Sequence, residues 1–142
     1  MKREKKVVVV SGFFDPVHVG HLRHFQKAKK LGDFLVVILT TDEQCIMKKG
    51  YCFMPFEERK ELLENLRCVD RVVKNIDKDT LSADTLAGLK PDIFAKGGDR
   101  TPDNMPQKEI ETCKNLGIKI FYGVGTQDQS SSNLVKRVCQ KL

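Results

Sequence analysis

Residues 7–21 read Val7-Val8-Val9-Val10-Ser11-Gly12-Phe13-Phe14-Asp15-Pro16-Val17-His18-Val19-Gly20-His21, and this stretch decides the fold. A run of β-branched residues with no polar alternation predicts a strand buried on both faces. A glycine-containing turn follows, and then an amphipathic pattern from Leu22 to Leu31. The order is strand, turn, helix, with two histidines at the helix mouth. A helix N-terminus carries unpaired N–H groups and partial positive charge, so it receives phosphate well. Histidine adds donors that need not be permanently charged. Read singly, His18 is a turn residue and His21 an N-terminal helix residue. H-x-G-H placed directly after a strand is a more specific signal.

Outward from this segment, short apolar runs alternate with helical patterns. Strands are expected at Val7–Val10, Phe34–Thr40, Arg71–Lys74, Asp92–Lys96 and Lys119–Tyr122. Helices are expected at Leu22–Leu31, Phe56–Leu66, Thr80–Leu89, Pro106–Leu116 and Ser131–Gln140. Glycines at the ends of Lys29-Lys30-Leu31-Gly32 and Lys114-Asn115-Leu116-Gly117 read as helix stops. Such alternation predicts an α/β fold, a Rossmann-like doubly wound sheet of about five parallel strands. At 142 residues, one domain is expected over 1–142, with residues 1–6 as a short charged arm. In open α/β sheets ligands sit beyond the carboxyl ends of the strands. The unusual loops 11–21, 41–54, 97–106 and 123–132 all fall at such ends, which argues for one composite site.

The net charge of +6 suits nucleic acid, an anionic membrane surface or small polyanions. No nucleic-acid-binding motif occurs, there is no Trp, and the lysines are spread along the chain. No apolar run approaches membrane length and no signal-peptide pattern appears at the start, so neither a membrane span nor a leader is expected. The five cysteines are odd in number and lack a C-x-x-C pair, which argues against a disulfide framework or a zinc site and for a cytoplasmic protein. His18, His21 and His24 recur every third residue, but no acid or cysteine clusters with them in sequence, so no protein-held metal is expected.

Gly12, Phe14, Asp15, His18, Gly20 and His21 match the pattern G-x-F-D-x-x-H-x-G-H at the right spacing. On these residues the chain resembles the HxGH nucleotidylyltransferase superfamily. That superfamily includes cytidylyltransferases for glycerol, choline and ethanolamine phosphates. It also includes adenylyltransferases for heptose phosphate, pantetheine phosphate and flavin mononucleotide. Lys96-Gly97-Gly98-Asp99 resembles a segment of the heptose-phosphate adenylyltransferase domain, and Gln129-Ser130-Ser131-Ser132 resembles the family's serine motif before the last helix. Arg67-Cys68-Val69-Asp70 resembles an R-Y-V-D element that packs and helps dimerise. The arginine that many cytidylyltransferases carry before the serine run is missing at 122–128.

The resemblance implies a nucleotidyltransferase that moves a nucleoside monophosphate from an NTP to a phosphorylated small molecule. ATP is favoured, with a sugar phosphate such as heptose 1-phosphate as acceptor. A CTP-dependent enzyme for glycerol phosphate or another alcohol phosphate is the runner-up, and a non-catalytic nucleotide-binding protein is the alternative of another class. A nicotinamide-binding domain is disfavoured because no G-x-G-x-x-G follows the first strand. By resemblance His18, His21 and Lys48 or Lys49 are catalytic. Gly12, Phe13, Phe14, Asp15, Gly20, Arg59, Gly97, Asp99, Ser130, Ser131 and Ser132 are expected to bind nucleotide. Mg²⁺ is expected with the nucleotide, and a homodimer is expected as the assembly.

Overall fold

The computed structural model describes residues 5–98 and 100–125. Asp99, Ser130, Ser131, Ser132 and the helix expected at 131–140 lie outside the described residues. Five strands form one parallel sheet in the order β3-β2-β1-β4-β5. They are β1 (Val7–Gly12), β2 (Phe34–Leu39), β3 (Arg71–Lys74), β4 (Ile93–Ala95) and β5 (Lys119–Phe121). Five helices connect or follow them: α1 (Val19–Lys29), α2 (Asp42–Lys49), α3 (Phe56–Glu64), α4 (Ala83–Leu89) and α5 (Gln107–Leu116). The strand order switches direction between β1 and β4, which pair through Val8 with Ile93 and Val9 with Phe94.

Each strand splits its side chains between two cores, as a period of two requires. Val8, Val10, Leu35, Val37, Leu39 and Val72 face one side, with Phe25 and Ala28 of α1 and Leu63 of α3. Val9, Val36, Ile38 and Phe94 face the other, with Leu86 of α4 and Cys113 of α5. This two-sided burial is why the strands read as unbroken apolar runs. No helix among the described residues is long and apolar enough to cross a membrane.

The two edges of the sheet differ in chemistry. An aspartate precedes β2, β3 and β4. Asp33 accepts the N–H of Lys6, Asp70 that of Leu35, and Asp92 that of Val7. Asp70 also holds Lys29, and Val69 packs into the core, so this element serves packing here. Carboxylates thus satisfy the amino edge, while lysines and histidines gather at the carboxyl edge.

Three departures from the expected elements have physical causes. Helix α1 begins at Val19 rather than Leu22, because His18 caps it. It ends at Lys30 in αR geometry, and Gly32 serves space instead: a Cβ there would sit 2.7 Å from the Lys6 carbonyl oxygen. Gly117, by contrast, is the αL helix stop expected of it, at φ 72°. The segment after β2, read as loop, contains α2. Thr41 and Gln44 form its capping box, Asp42 and Glu43 fill its first turn, and Gly50 ends it.

Arg59 of α3 locks the carboxyl edge. Its side chain is wholly buried. Nε donates to the Met54 carbonyl at 2.7 Å, Nη1 to the carbonyls of Phe13 at 2.8 Å and Thr40 at 2.9 Å, and Nη2 to Asp42 Oδ1 at 2.9 Å. One planar fork thereby joins the ends of β1 and β2 to the starts of α2 and α3. Its removal leaves buried carbonyls without donors. Arg59→Leu is expected to lower unfolding free energy by about 3–5 kcal/mol, read from urea titration; a wild-type midpoint would refute this role.

Candidate functional site

The turn after β1 is built around a close approach. A Cβ on Gly12 would lie 2.8 Å from the ring of Phe14, which folds back over it. Phe14 takes positive φ, 48°, to do so, and its ring meets His21 edge-on at 4.8 Å and Phe25 at 5.1 Å. Glycine and phenylalanine two apart are therefore one packing unit that supports the second histidine. Asp15 is fully buried. Its carboxylate accepts the backbone N–H groups of Phe53 and Met54 and the ammonium of Lys49, so it pins the 51–54 segment against the turn.

The two histidines cap α1 reciprocally. His18 Nδ1 accepts the N–H of Gly20 at 3.1 Å, and His21 Nδ1 accepts the N–H of His18 at 3.1 Å. This is the spacing of a capping box, with imidazoles in place of serine and glutamate. An Nδ1 that accepts is unprotonated, so each neutral ring carries its proton on Nε2. The rings stack at 3.7 Å. His18 Nε2 is enclosed and has no protein partner among the described residues. Burial lowers the pKa of His18, and burial followed by the charges of His18 and His24 lowers that of His21 to about 3. Both rings are neutral donors at neutral pH. His24 is one turn further along α1, where its Nδ1–H donates to the Val124 carbonyl.

A cavity of about 540 Å³ opens at the switch between β1 and β4. Gly12, Phe13, Phe14, His18, Gly20, His21, Lys48, Lys49 and Gly97 line it, which brings most of the expected residues to one place. Lys48 and Lys49 come from the last turn of α2. Lys49 is tied to Asp15 at 3.0 Å, whereas Lys48 makes no ion pair among the described residues. Two expected nucleotide contacts are placed elsewhere. Arg59 lies behind the turn with its donors spent on carbonyls and Asp42, and Asp15 faces the 51–54 segment. Both position the site from beneath.

The opposite wall joins Lys96, marked in the sequence only as part of the Lys96-Gly97-Gly98-Asp99 segment, to Arg100 and Glu109, to which the sequence assigned no role. Lys96 leaves the end of β4, and burial lowers its pKa against the opposing pull of Glu109. Glu109 is buried on α5 and accepts the N–H of Ser82 at 2.8 Å. Arg100 completes this basic and acidic wall. A lysine directly after a strand and an acid in a helix's first turn were the available signals, but only the fold brings them together.

His21 makes stability depend on pH. Between about 3, its folded value, and 6.5, its ordinary one, the unfolded chain takes up a proton that the folded chain refuses. Stability is therefore complete above 6.5 and falls on acidification, by about 1.4 kcal/mol per pH unit from this group. The acid limb between pH 6 and pH 4.5 is expected to be shallower in His21→Gln, measured by denaturant titration at each pH. An unchanged slope would contradict the burial of a neutral imidazole.

The model of the cytidylyltransferase-like family matches residues 9–137. A bifunctional protein HldE of Pelobacter propionicus is 34% identical over 98% of this chain, which spans 28% of that protein's length. The FAD synthase of Pyrococcus abyssi is 35% identical over 94% of this chain and 92% of its own. The crystal structure of the lipopolysaccharide core biosynthesis protein from Thermoplasma volcanium superposes with a TM-score of 0.70 at 28% identity, covering 84% of this chain and 95% of that one. The match runs through the paired histidines, both walls of the cavity and the whole sheet: the chain belongs to the cytidylyltransferase-like family.

Proposed function

We propose that this chain transfers an adenylyl group from ATP to a phosphorylated small molecule, a sugar phosphate such as heptose 1-phosphate, with release of pyrophosphate. The observation that carries the reading is the histidine capping box. It presents two Nε2–H donors at a helix N-terminus, on the edge of a cavity large enough for a nucleotide. The HldE relative supports a sugar phosphate acceptor.

The acceptor's phosphate oxygen attacks the α-phosphorus in line. The new P–O bond forms as the bond to the β-phosphate oxygen breaks, and pyrophosphate takes the electron pair. A phosphate monoester is already an anion, so no strong base is needed, and catalysis is positioning plus charge stabilisation. His18 and His21 donate to oxygens on which charge grows. Lys48 reaches the phosphates as a mobile ammonium, and Lys49 follows if it exchanges Asp15 for phosphate. Lys96 and Arg100 face the acceptor's phosphate, and Glu109 accepts from its hydroxyls. By the family resemblance Asp99 takes the ribose and Ser130, Ser131 and Ser132 the distal phosphates. Mg²⁺ would supply further charge neutralisation. The described wall offers mostly nitrogen donors and one carboxylate, Glu109, so the ion's ligands would be nucleotide oxygens and water. The assembly proposed is a homodimer, on the resemblance of the Arg67–Asp70 element.

A second reading has its own support: flavin mononucleotide as acceptor, since the FAD synthase relative matches along nearly its whole length. A screen of pyrophosphate release resolves the readings, with ATP or CTP against heptose 1-phosphate, flavin mononucleotide and glycerol phosphate. ATP with the heptose phosphate is the expected pair. Turnover only with CTP, or none with any pair, would reject the adenylyl reading.

The active variants should separate the cap from the chemistry. Asparagine keeps a cap acceptor but shortens the reach to phosphate. His18→Asn and His21→Asn are each expected to cut kcat by about a hundredfold or more, the scale of losing one oxyanion donor. Alanine would also remove the cap, at about 1 kcal/mol of stability. Near-normal turnover in either asparagine variant would discard the proposed roles.

A further inference from the structure

Behind the turn, outside the phosphate cavity, Asp15, Cys45 and Cys52 hold a carboxylate oxygen and two sulfurs within 4.8 Å of one another. Three elements supply them: the turn after β1, helix α2 and the segment after Gly50. Asp15 and Cys45 are fully buried, and Cys52 is half-buried. We propose that this cluster binds one soft divalent cation of the zinc class through two thiolates and a carboxylate. The sequence hides it, because the cysteines are separated by six residues and the carboxylate stands thirty residues earlier.

The donor set suits zinc, which takes thiolate and carboxylate together. Tetrahedral bonds of about 2.3 Å to sulfur and 2.0 Å to oxygen put ligand atoms roughly 3.5–3.8 Å apart. The cluster has about an ångström to close. Asp15 retains capacity for the ion: its carboxylate has about four acceptor positions, and Phe53, Met54 and Lys49 use three. Those same donors fix its orientation, the usual service of an outer shell. The Cys52 thiol donates to Asp42 Oδ1 at 3.3 Å, a hydrogen bond that metal binding would replace with a metal–sulfur bond, and Thr40 Oγ1 stands 3.5 Å from Cys45 Sγ, where its hydroxyl can donate to a thiolate.

Charge balances as well. Asp15 pairs with Lys49 and Asp42 with Arg59. Each thiol gives up its proton as a metal–sulfur bond forms, so a dication enters as two protons leave. The enclosed charge is unchanged, and no uncompensated ion is buried. Occupancy would clamp α2, and with it Lys48 and Lys49, to the turn that carries His18.

The reduced full chain, without air, is titrated first with Co²⁺ alone and then with Zn²⁺. One equivalent of Co²⁺ is expected to give a thiolate-to-cobalt charge-transfer band that Zn²⁺ abolishes, with two protons released in weak buffer. Cys52→Ser and Cys45→Ala should each lose the band, and Cys139→Ser should keep it. Cys52 is only half-buried, so its variant, checked by circular dichroism, carries the test even if Cys45→Ala fails to fold. No band in the wild type, a band that survives Cys52→Ser, or one that disappears in Cys139→Ser overturns the proposal.

Discussion

The carboxyl edge of this sheet is held by one guanidinium. Strand ends leave carbonyl groups that no ladder satisfies, and here they converge from β1, β2 and the segment before α3. Water could solvate them only by flooding the base of the cavity. A planar cation with several fixed donors reaches three chain segments at once, and Asp42 balances its charge from outside. Desolvating such a cation is costly unless most of its donors are used, and Arg59 meets that condition. The turn that carries His18 rests on this arrangement, because the Phe13 carbonyl is among the groups held.

A second tier is built from carboxylates and amides. Asp15 joins the turn to the 51–54 segment. Gln44 of α2 donates to Asn75 Oδ1 and to the carbonyls of Asp77 and Asp79. Asp77 in turn accepts from Asp84 and Thr85 at the start of α4. This buried network runs beneath the cavity from its lysine wall toward the wall containing Ser82 and Glu109. Networks of this kind are rigid when every member is satisfied. It explains how short loops from distant parts of the chain hold a common shape.

Much of this was legible in the residues. The valine run, the two-sided apolar strands and Gly117 carry local signals that need no tertiary information. The H-x-x-H spacing also carried a capping signal, which was hidden because histidine is not the residue usually sought there. Helix α2 escaped for a different reason: at eight residues it has little periodicity, and only Thr41, Gln44 and Gly50 announce it. Arg59 could not be read at all. A charged residue near a helix start has the same local appearance whether it meets phosphate or its own chain's carbonyls. Only the converging strand ends distinguish the two. Lys96 and Glu109 are likewise joined by topology, through neighbouring elements β4 and α5.

The imidazole cap has one further consequence, for the end of a catalytic cycle. The fixed cations on the cavity walls, Lys48, Lys96 and Arg100 among them, attract a departing polyanion as firmly as an arriving one, and each further standing charge would slow release. His18 and His21 carry no standing charge, and their tautomers are set by the helix before any ligand arrives. In the proposed reaction they would reward negative charge while it accumulates on a reacting oxygen and add no standing attraction for the pyrophosphate that carries it away. In each ring one nitrogen, Nδ1, starts α1 and the other, Nε2, would meet the ligand, so in the proposed reaction one pair of imidazoles serves both the fold and the release of product.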